Sequence, residues 1–179
     1  MLTISVLIVI LSIIIIGTIH FILYSRKIGV VPMPSSEKER MKVTEILNRY
    51  PELLRATDLG SGWGGLARKI RRQCPDLEIQ AIEKSPIPYV ISRLLSFITN
   101  STSIIYRNCD IDDIPLRNYE AYITYLSGPA MKTLRTHFEK DHPRKGILIS
   151  IAFAMPGWTP VYVEYIETMF HSPIYLYEY

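Results

Sequence analysis

The first 24 residues carry no charged side chain, and 18 of them are Ala, Val, Ile, Leu, Met, Phe, Trp, Tyr or Cys. No polar stripe recurs at helical spacing within them, so nothing marks a solvent face. The stretch from Leu2 to Tyr24 matches the roughly 20 apolar residues that carry a helix across a hydrocarbon core about 30 Å thick. It predicts a transmembrane helix over residues 2–24. A cleaved signal peptide would begin with basic residues and hold a shorter apolar stretch, of about 7–15 residues. Arg26 and Lys27 follow the span and no basic residue precedes it. The positive-inside bias therefore puts everything after it on the cytosolic or mitochondrial matrix side. Pro32, Pro34, Ser35 and Ser36 mark residues 25–36 as a linker. Twelve residues reach at most about 43 Å, which keeps the rest of the chain close to the bilayer.

After the linker the pattern changes. Ser36 has the chemistry of an N-cap, with Glu37 and Glu39 in the first turn of a helix through about Tyr50. Apolar runs with strand character then occur at Ala56–Leu59, Glu78–Ile82, Ser103–Arg107, Ala121–Leu126 and Ile147–Ala154. Helical periodicity falls between them at Gly64–Gln73, Pro88–Ile98 and Ala130–Lys140. Strands alternating with helices imply right-handed crossovers and a parallel sheet covered on both faces. Pro160–Glu167 and Pro173–Tyr179 are tyrosine-rich alternating runs with no room for a helix between them, so they read as an antiparallel pair. The prediction is an α/β, Rossmann-like domain over residues 37–179, with seven strands and a reversed final strand. Its size suits one domain.

Composition adds limits. Every charge lies beyond residue 25, so the net +3 belongs to the domain. That excess is too small to argue for nucleic acid, and it tolerates an anionic membrane surface. Cys74 and Cys109 lack a CxxC spacing and read as small buried hydrophobes on a reducing side. His137, His142 and His171 show no ligand spacing, so no metal is expected. Arg68, Lys69, Arg71 and Arg72 make one helix basic, a solvated face on the plain reading and a contact for lipid headgroups on the sharper one.

The chemistry concentrates at Thr57-Asp58-Leu59-Gly60-Ser61-Gly62-Trp63-Gly64-Gly65, where a strand turns into a helix. Glycines allow a tight turn and close approach of a ligand, and the helix start offers free N–H groups. Gly60, Gly62 and Gly65 also satisfy the GxGxxG spacing of dinucleotide sites. Glu83 follows the second strand, where a carboxylate can accept both hydroxyls of a ribose. Asp110 follows the third, where an oxygen can take an adenine amino group. Asp58 lies ahead of the glycines, a poor neighbour for pyrophosphate. It suits a cationic ligand such as the sulfonium and amino group of S-adenosylmethionine.

These residues resemble the class I, seven-stranded S-adenosylmethionine-dependent methyltransferases, with DLGSGWGG similar to their glycine-rich first motif. Four further stretches look like one branch of that class. The branch comprises the membrane-anchored protein-lysine methyltransferases that modify the ATP synthase c-subunit and the adenine nucleotide translocase. The stretches are Val31-Pro32-Met33-Pro34-Ser35; Glu83-Lys84-Ser85-Pro86 with Ser92-Arg93; Tyr122 to Met131, around Leu126-Ser127-Gly128-Pro129; and Phe153 to Pro160. Trp63, Ser85 and Gly128 depart from the commoner residues of that branch. The resemblance implies S-adenosyl-L-methionine as cofactor, held by Asp58, Gly60, Ser61, Gly62, Glu83, Lys84 and Asp110. It implies an acceptor side at Ser35, Trp63, Tyr125, Ser127, Pro129 and Trp158, and leaves the catalytic base unassigned. The implied acceptor is a lysine of a membrane protein. The alternatives are a lipid or quinone-like small molecule, or a non-catalytic, membrane-tethered nucleotide-binding module.

Overall fold

The first described helix, α1 (Glu37–Leu47), starts where its capping chemistry directs. The Glu39 amide donates to the Ser36 hydroxyl, and the Glu39 carboxylate accepts the Ser36 amide at 2.6 Å, a capping box that satisfies two donors at once. The computed structural model describes residues 34–143, 145–168 and 171–179, with Ser12 alone before them. Apart from Ser12, the expected span over 2–24 and the linker up to residue 33 thus fall outside the described residues, and among the described residues no helix is long and apolar enough to cross a membrane.

Seven strands follow: β1 (Arg55–Leu59), β2 (Glu78–Ile82), β3 (Ile105–Arg107), β4 (Ala121–Thr124), β5 (Ile147–Ile151), β6 (Tyr162–Tyr165) and β7 (Pro173–Glu178). They form one sheet in the order β3-β2-β1-β4-β5-β7-β6. The first five are parallel, and β7 runs antiparallel to both β5 and β6. The expected seven-stranded sheet with its reversal at the end is therefore present. Helices α2 (Gly65–Gln73), α3 (Pro86–Ile98) and α4 (Gly128–Asp141) supply the crossovers, while two short 3₁₀ turns link β3 to β4.

Side chains alternate across the strands, so the sheet divides the core into two clusters. One holds Ala56, Ile79, Ala81, Ile123, Ile149 and Ile174 with Val43, Ile46 and Leu47 of α1 and Leu66, Ala67 and Ile70 of α2. The other holds Leu59, Ile82, Tyr122, Leu148 and Tyr177 with Met131, Leu134 and Phe138 of α4. Strands buried on both faces read as near-continuous apolar runs, which is why β4 and β5 are buried at every position.

Several boundaries move, for local reasons. Helix α3 begins at Pro86 and α4 at Gly128, two residues earlier than the periodicity indicates. Proline is at home in a first turn, whose N–H groups have no intrahelical partner. Strand β4 stops at Thr124, so Tyr125 lies just past the strand expected to contain it. Ala152, at φ +67°, ends β5.

Candidate active site

The carboxyl ends of β1, β2 and β3 are neighbours in the sheet, and the expected acids stand there together. Asp58 is paired in register with Ala81 of β2 and Ile123 of β4, deep between strands, and is 3% exposed. Its Oδ2 is buried with no hydrogen-bond partner among the described residues. Burial, reinforced by the Glu83 charge, pushes its carboxyl up to about 7, with a backbone bond from Ala67 acting the other way. Asp58 is thus a carboxyl poised between charged and neutral near physiological pH. The Ser61 hydroxyl, in the turn just beyond, is also buried and unpartnered.

Glu83 is the fixed member. Its Oε2 accepts the Gly62 amide at 2.8 Å and its Oε1 accepts the Ser85 amide at 2.7 Å. Both oxygens are oriented by backbone, and each keeps a further lone pair for hydroxyl donors. Asp110 caps the 3₁₀ turn after β3 and forms an ion pair with Lys84. That pair joins the ends of β2 and β3.

Backbone geometry explains two of the glycines. At Gly60, φ is +79° and an added Cβ would meet Leu126 Cδ2 at 2.7 Å, so both conformation and space exclude a side chain. At Gly62, φ is +53° but no described residue lies within 4 Å of an added Cβ. The turn therefore faces open space beside the Glu83 carboxylate. The Gly62–Glu83 hydrogen bond and the Lys84–Asp110 pair link the expected glycine turn and acids at one end of the sheet, the candidate crevice.

Two residues that the sequence did not single out hold it in shape. The Asn108 side-chain amide donates to the carbonyls of Glu83 and Lys84 at 2.8 and 3.0 Å, pinning the segment after β2 to that after β3. Arg40 donates from Nε to the Ser35 carbonyl at 2.9 Å, and its guanidinium stacks so close to Gly65 that an added Cβ there would meet Cζ at 3.2 Å. Ser35 is thereby tied to the start of α2. An amide or guanidinium reaching back across elements leaves no spacing signature.

The acceptor-side residues divide. Tyr125, Ser127 and Pro129 follow the carboxyl end of β4, beside β1. Ser127 is the N-cap residue of α4 and Pro129 lies in its first turn. Tyr125 packs against the cluster under α1, with Glu39 and Ser172 close enough to influence its hydroxyl, which burial pushes above the ordinary phenol value. Trp63 lies in the glycine turn itself, its carbonyl accepting Arg68 Nη1 at 2.8 Å. Trp158 lies elsewhere, contrary to its expected place at the acceptor side. Its ring packs edge-on against Phe138 and Tyr177, tilts against Tyr179, and carries Arg135 on its face. Tyr177 and Glu178 pair with Leu148 and Ile147, at the amino-terminal end of β5 and so opposite the crevice. The half-buried indole, carried on the loop between β5 and β6, gains apolar contact from that aromatic cluster.

The basic run on α2 is largely occupied within the domain. Lys69 pairs with Glu37, Arg71 bonds the Pro75 carbonyl and Arg68 the Trp63 carbonyl. Cys74 is buried and Cys109 half-buried, both as free thiols.

Among solved structures, the chain is similar to an RNA methyltransferase from Salinibacter ruber in complex with S-adenosyl-L-homocysteine, at TM-score 0.73 and 18% identity over 82% of this chain and 93% of that one. It is also similar to a precorrin-6y C5,15-methyltransferase from Geobacter metallireducens, at TM-score 0.55 and 14% identity over 82% and 90%. A putative O-methyltransferase from Nostoc punctiforme matches at TM-score 0.61 and 9% identity over 78% of this chain and 55% of that one. No curated protein matches the chain by sequence. At such identities these likenesses establish the fold, and a match to a sequence family adds the chemistry. Fold and family together define an S-adenosylmethionine-dependent methyltransferase of the seven-stranded class. The chain belongs to the family described as the ANTKMT methyltransferase domain, which matches residues 58–162.

Proposed function

We propose that this protein is a membrane-anchored methyltransferase that transfers methyl groups from S-adenosylmethionine to a lysine of a membrane protein. The observation that carries the reading is the Asp58 carboxyl, buried, with its Oδ2 unpartnered among the described residues, and close to the Glu83 charge. An arrangement of two neighbouring carboxyls, one of which keeps an oxygen without a donor among the described residues, favours a cation and opposes a phosphate. The residues fit the cofactor: Asp58 for its positive end, Glu83 for the ribose hydroxyls, Asp110 and Lys84 beside the base, and Gly60, Ser61 and Gly62 for close backbone approach. The bound cofactor supplies an electrophilic methyl group on a sulfonium.

The chain's task is then to present a neutral amine in line with that methyl. A lysine has an ordinary pKa of about 10.4, and desolvation lowers it. Trp63 and Tyr125, with Ser35, Ser127 and Pro129 around them, are the groups assigned to the acceptor channel. Aromatic faces there would favour the amine over water and hold its methylated cation. Catalysis is mainly positioning, with no dedicated base assigned. Support for lysine in a membrane protein comes from the family and from the uncharged stretch 2–24, which is suited to holding the domain at a bilayer. Radiolabelled methyl transfer into membranes, separated into protein and lipid fractions, tests the acceptor. Label in protein, released on hydrolysis as methyl-lysine, is expected; label confined to lipid overturns the reading.

A further inference from the structure

Helix α3 is built inside out. Its buried residues are Pro88, Ser92 and Ser96, while Val90 is 60% exposed, Leu94 56%, Phe97 76% and Ile98 66%. The inward side is small and polar because the contact is tight. An added Cβ at Gly64 would meet Ser92 Cβ at 3.0 Å, and the Ser96 hydroxyl lies 2.8 Å from the Tyr106 hydroxyl on β3. The outward positions fall at i, i+4, i+7 and i+8, one continuous apolar stripe. Exposed apolar surface gathered on one face marks an interaction site.

We infer that this stripe is a bilayer-contact surface, on which α3 lies in the membrane interface beside the crevice. Several observations select lipid as the occupant. From Ser85 to Tyr106 the chain carries one charge, Arg93, and no acid. Arg93 is exposed beside the stripe, where a long cationic side chain can reach headgroups. The stripe is a ridge formed by one helix at the sheet edge, a shape that suits a fluid surface needing no matching groove. Finally, the uncharged stretch 2–24 and its short linker would hold the domain against a bilayer; the inference rests on that anchored reading. Since α3 follows directly from Glu83 and Lys84, docking would fix the crevice at the membrane surface instead of leaving the domain to swing on its linker.

The test uses the full chain in vesicles of phosphatidylcholine and phosphatidylglycerol. A polarity-sensitive fluorophore is placed at Leu94→Cys or Phe97→Cys, with Thr136→Cys on the outer side of α4 as control, each in a Cys109→Ser background. Replacing part of the lipid by nitroxide-labelled lipid is expected to remove most of the emission at 94 and 97 and little at 136. A chain that floats with the vesicles but shows equal, small losses at all three positions overturns the docking and leaves the anchor standing. A chain that stays in the aqueous fraction overturns both. Labels at 94 and 97 shielded from iodide yet insensitive to labelled lipid also overturn it, since protein, a second copy or the chain's own apolar stretch, would then cover the stripe.

Discussion

The two halves of the sheet use their buried polar groups differently. Around β1 and β2, Thr57 Oγ1, Asp58 Oδ2, Ser61 Oγ and Gln80 Nε2 are all buried without a hydrogen-bond partner among the described residues. Each such atom costs stability, about 1–3 kcal/mol for a neutral group. Around β5 and β7 the same sheet is filled by rings: Tyr122, Phe138, Trp158, Tyr177 and Tyr179 interlock at centroid distances from 4.9 to 6.0 Å between touching pairs, and among the described residues only the Tyr179 hydroxyl is buried there without a partner. On the first side, Asp58 and Ser61 leave unpartnered oxygens at the carboxyl ends of the strands, where a ligand can reach them. The other is packed to hold the chain together regardless of ligand. Binding and stability are therefore separable here along the sheet.

The largest effect that would sharpen this contrast is Phe138→Ala. The ring is 3% exposed and contacts Tyr122, Trp158 and Tyr179. Its loss should cost about 3–5 kcal/mol in denaturant unfolding, while cofactor affinity, measured where the variant is still folded, stays near that of the parent. If affinity falls as much as stability, the halves are coupled and the comparison breaks. Asp58→Asn is the reverse experiment. Removing one charge-assisted contact should weaken S-adenosylmethionine binding by about 1.5–3 kcal/mol, a loss of roughly tenfold to a hundredfold by calorimetry. Unfolding stability should hold or rise, because a half-ionised buried carboxyl is replaced by a neutral amide.

How far each half can be read in advance follows from the kind of signal it leaves. Asp58, Gly60 and Gly62 are close in sequence and sit at a strand-to-helix change, so residue type and element boundary report the same turn. Glu83 and Asp110 repeat that position after the next two strands, and parallel topology brings them together. Arg40 and Asn108 act across elements through single hydrogen bonds, with no periodicity to betray them. Trp158 misleads for a physical reason: its place in the Phe153 to Pro160 stretch points to the acceptor side, and only the fold shows that β7 supplies Tyr177 and Tyr179 against its ring at the other end of β5. Helix α3 shows a further limit. Periodicity locates an apolar face but does not say what covers it, and here the serines face the sheet.

The pH dependence separates the halves on a finer scale. Asp58 titrates near 7 in the folded chain and near 3.8 in an unfolded one, so between those values the folded state binds the extra proton. Stability contributed by this group is present at low pH and falls as pH rises towards 7, and Asp58→Asn should flatten that fall. Binding a cation has the opposite dependence, because it favours the carboxylate and expels the proton. Affinity should climb by up to about tenfold per pH unit below 7, with proton release visible as buffer-dependent heat and missing from Asp58→Asn. Equal slopes in the parent and the variant would mean that Asp58 takes no part in binding.

Smaller still is the backbone effect at Gly62. Alanine there meets no atom of a described residue within 4 Å, so only the positive φ is strained, at about 1–2 kcal/mol. The methyl group would nevertheless project into the space beside Glu83 assigned to the ribose. Gly62→Ala should therefore lower stability modestly and cofactor affinity by a larger factor. The far side of the crevice marks the lower limit. Lys84 and Asp110 have exposed side chains, at 61% and 37%, and exposed ion pairs contribute roughly 0–1 kcal/mol. Lys84→Ala should leave the unfolding midpoint nearly unchanged. If it weakens S-adenosylmethionine binding several-fold all the same, the pair acts by orienting Asp110 toward the adenine. If affinity also stays put, the incomplete region that awaits a ligand ends at Glu83.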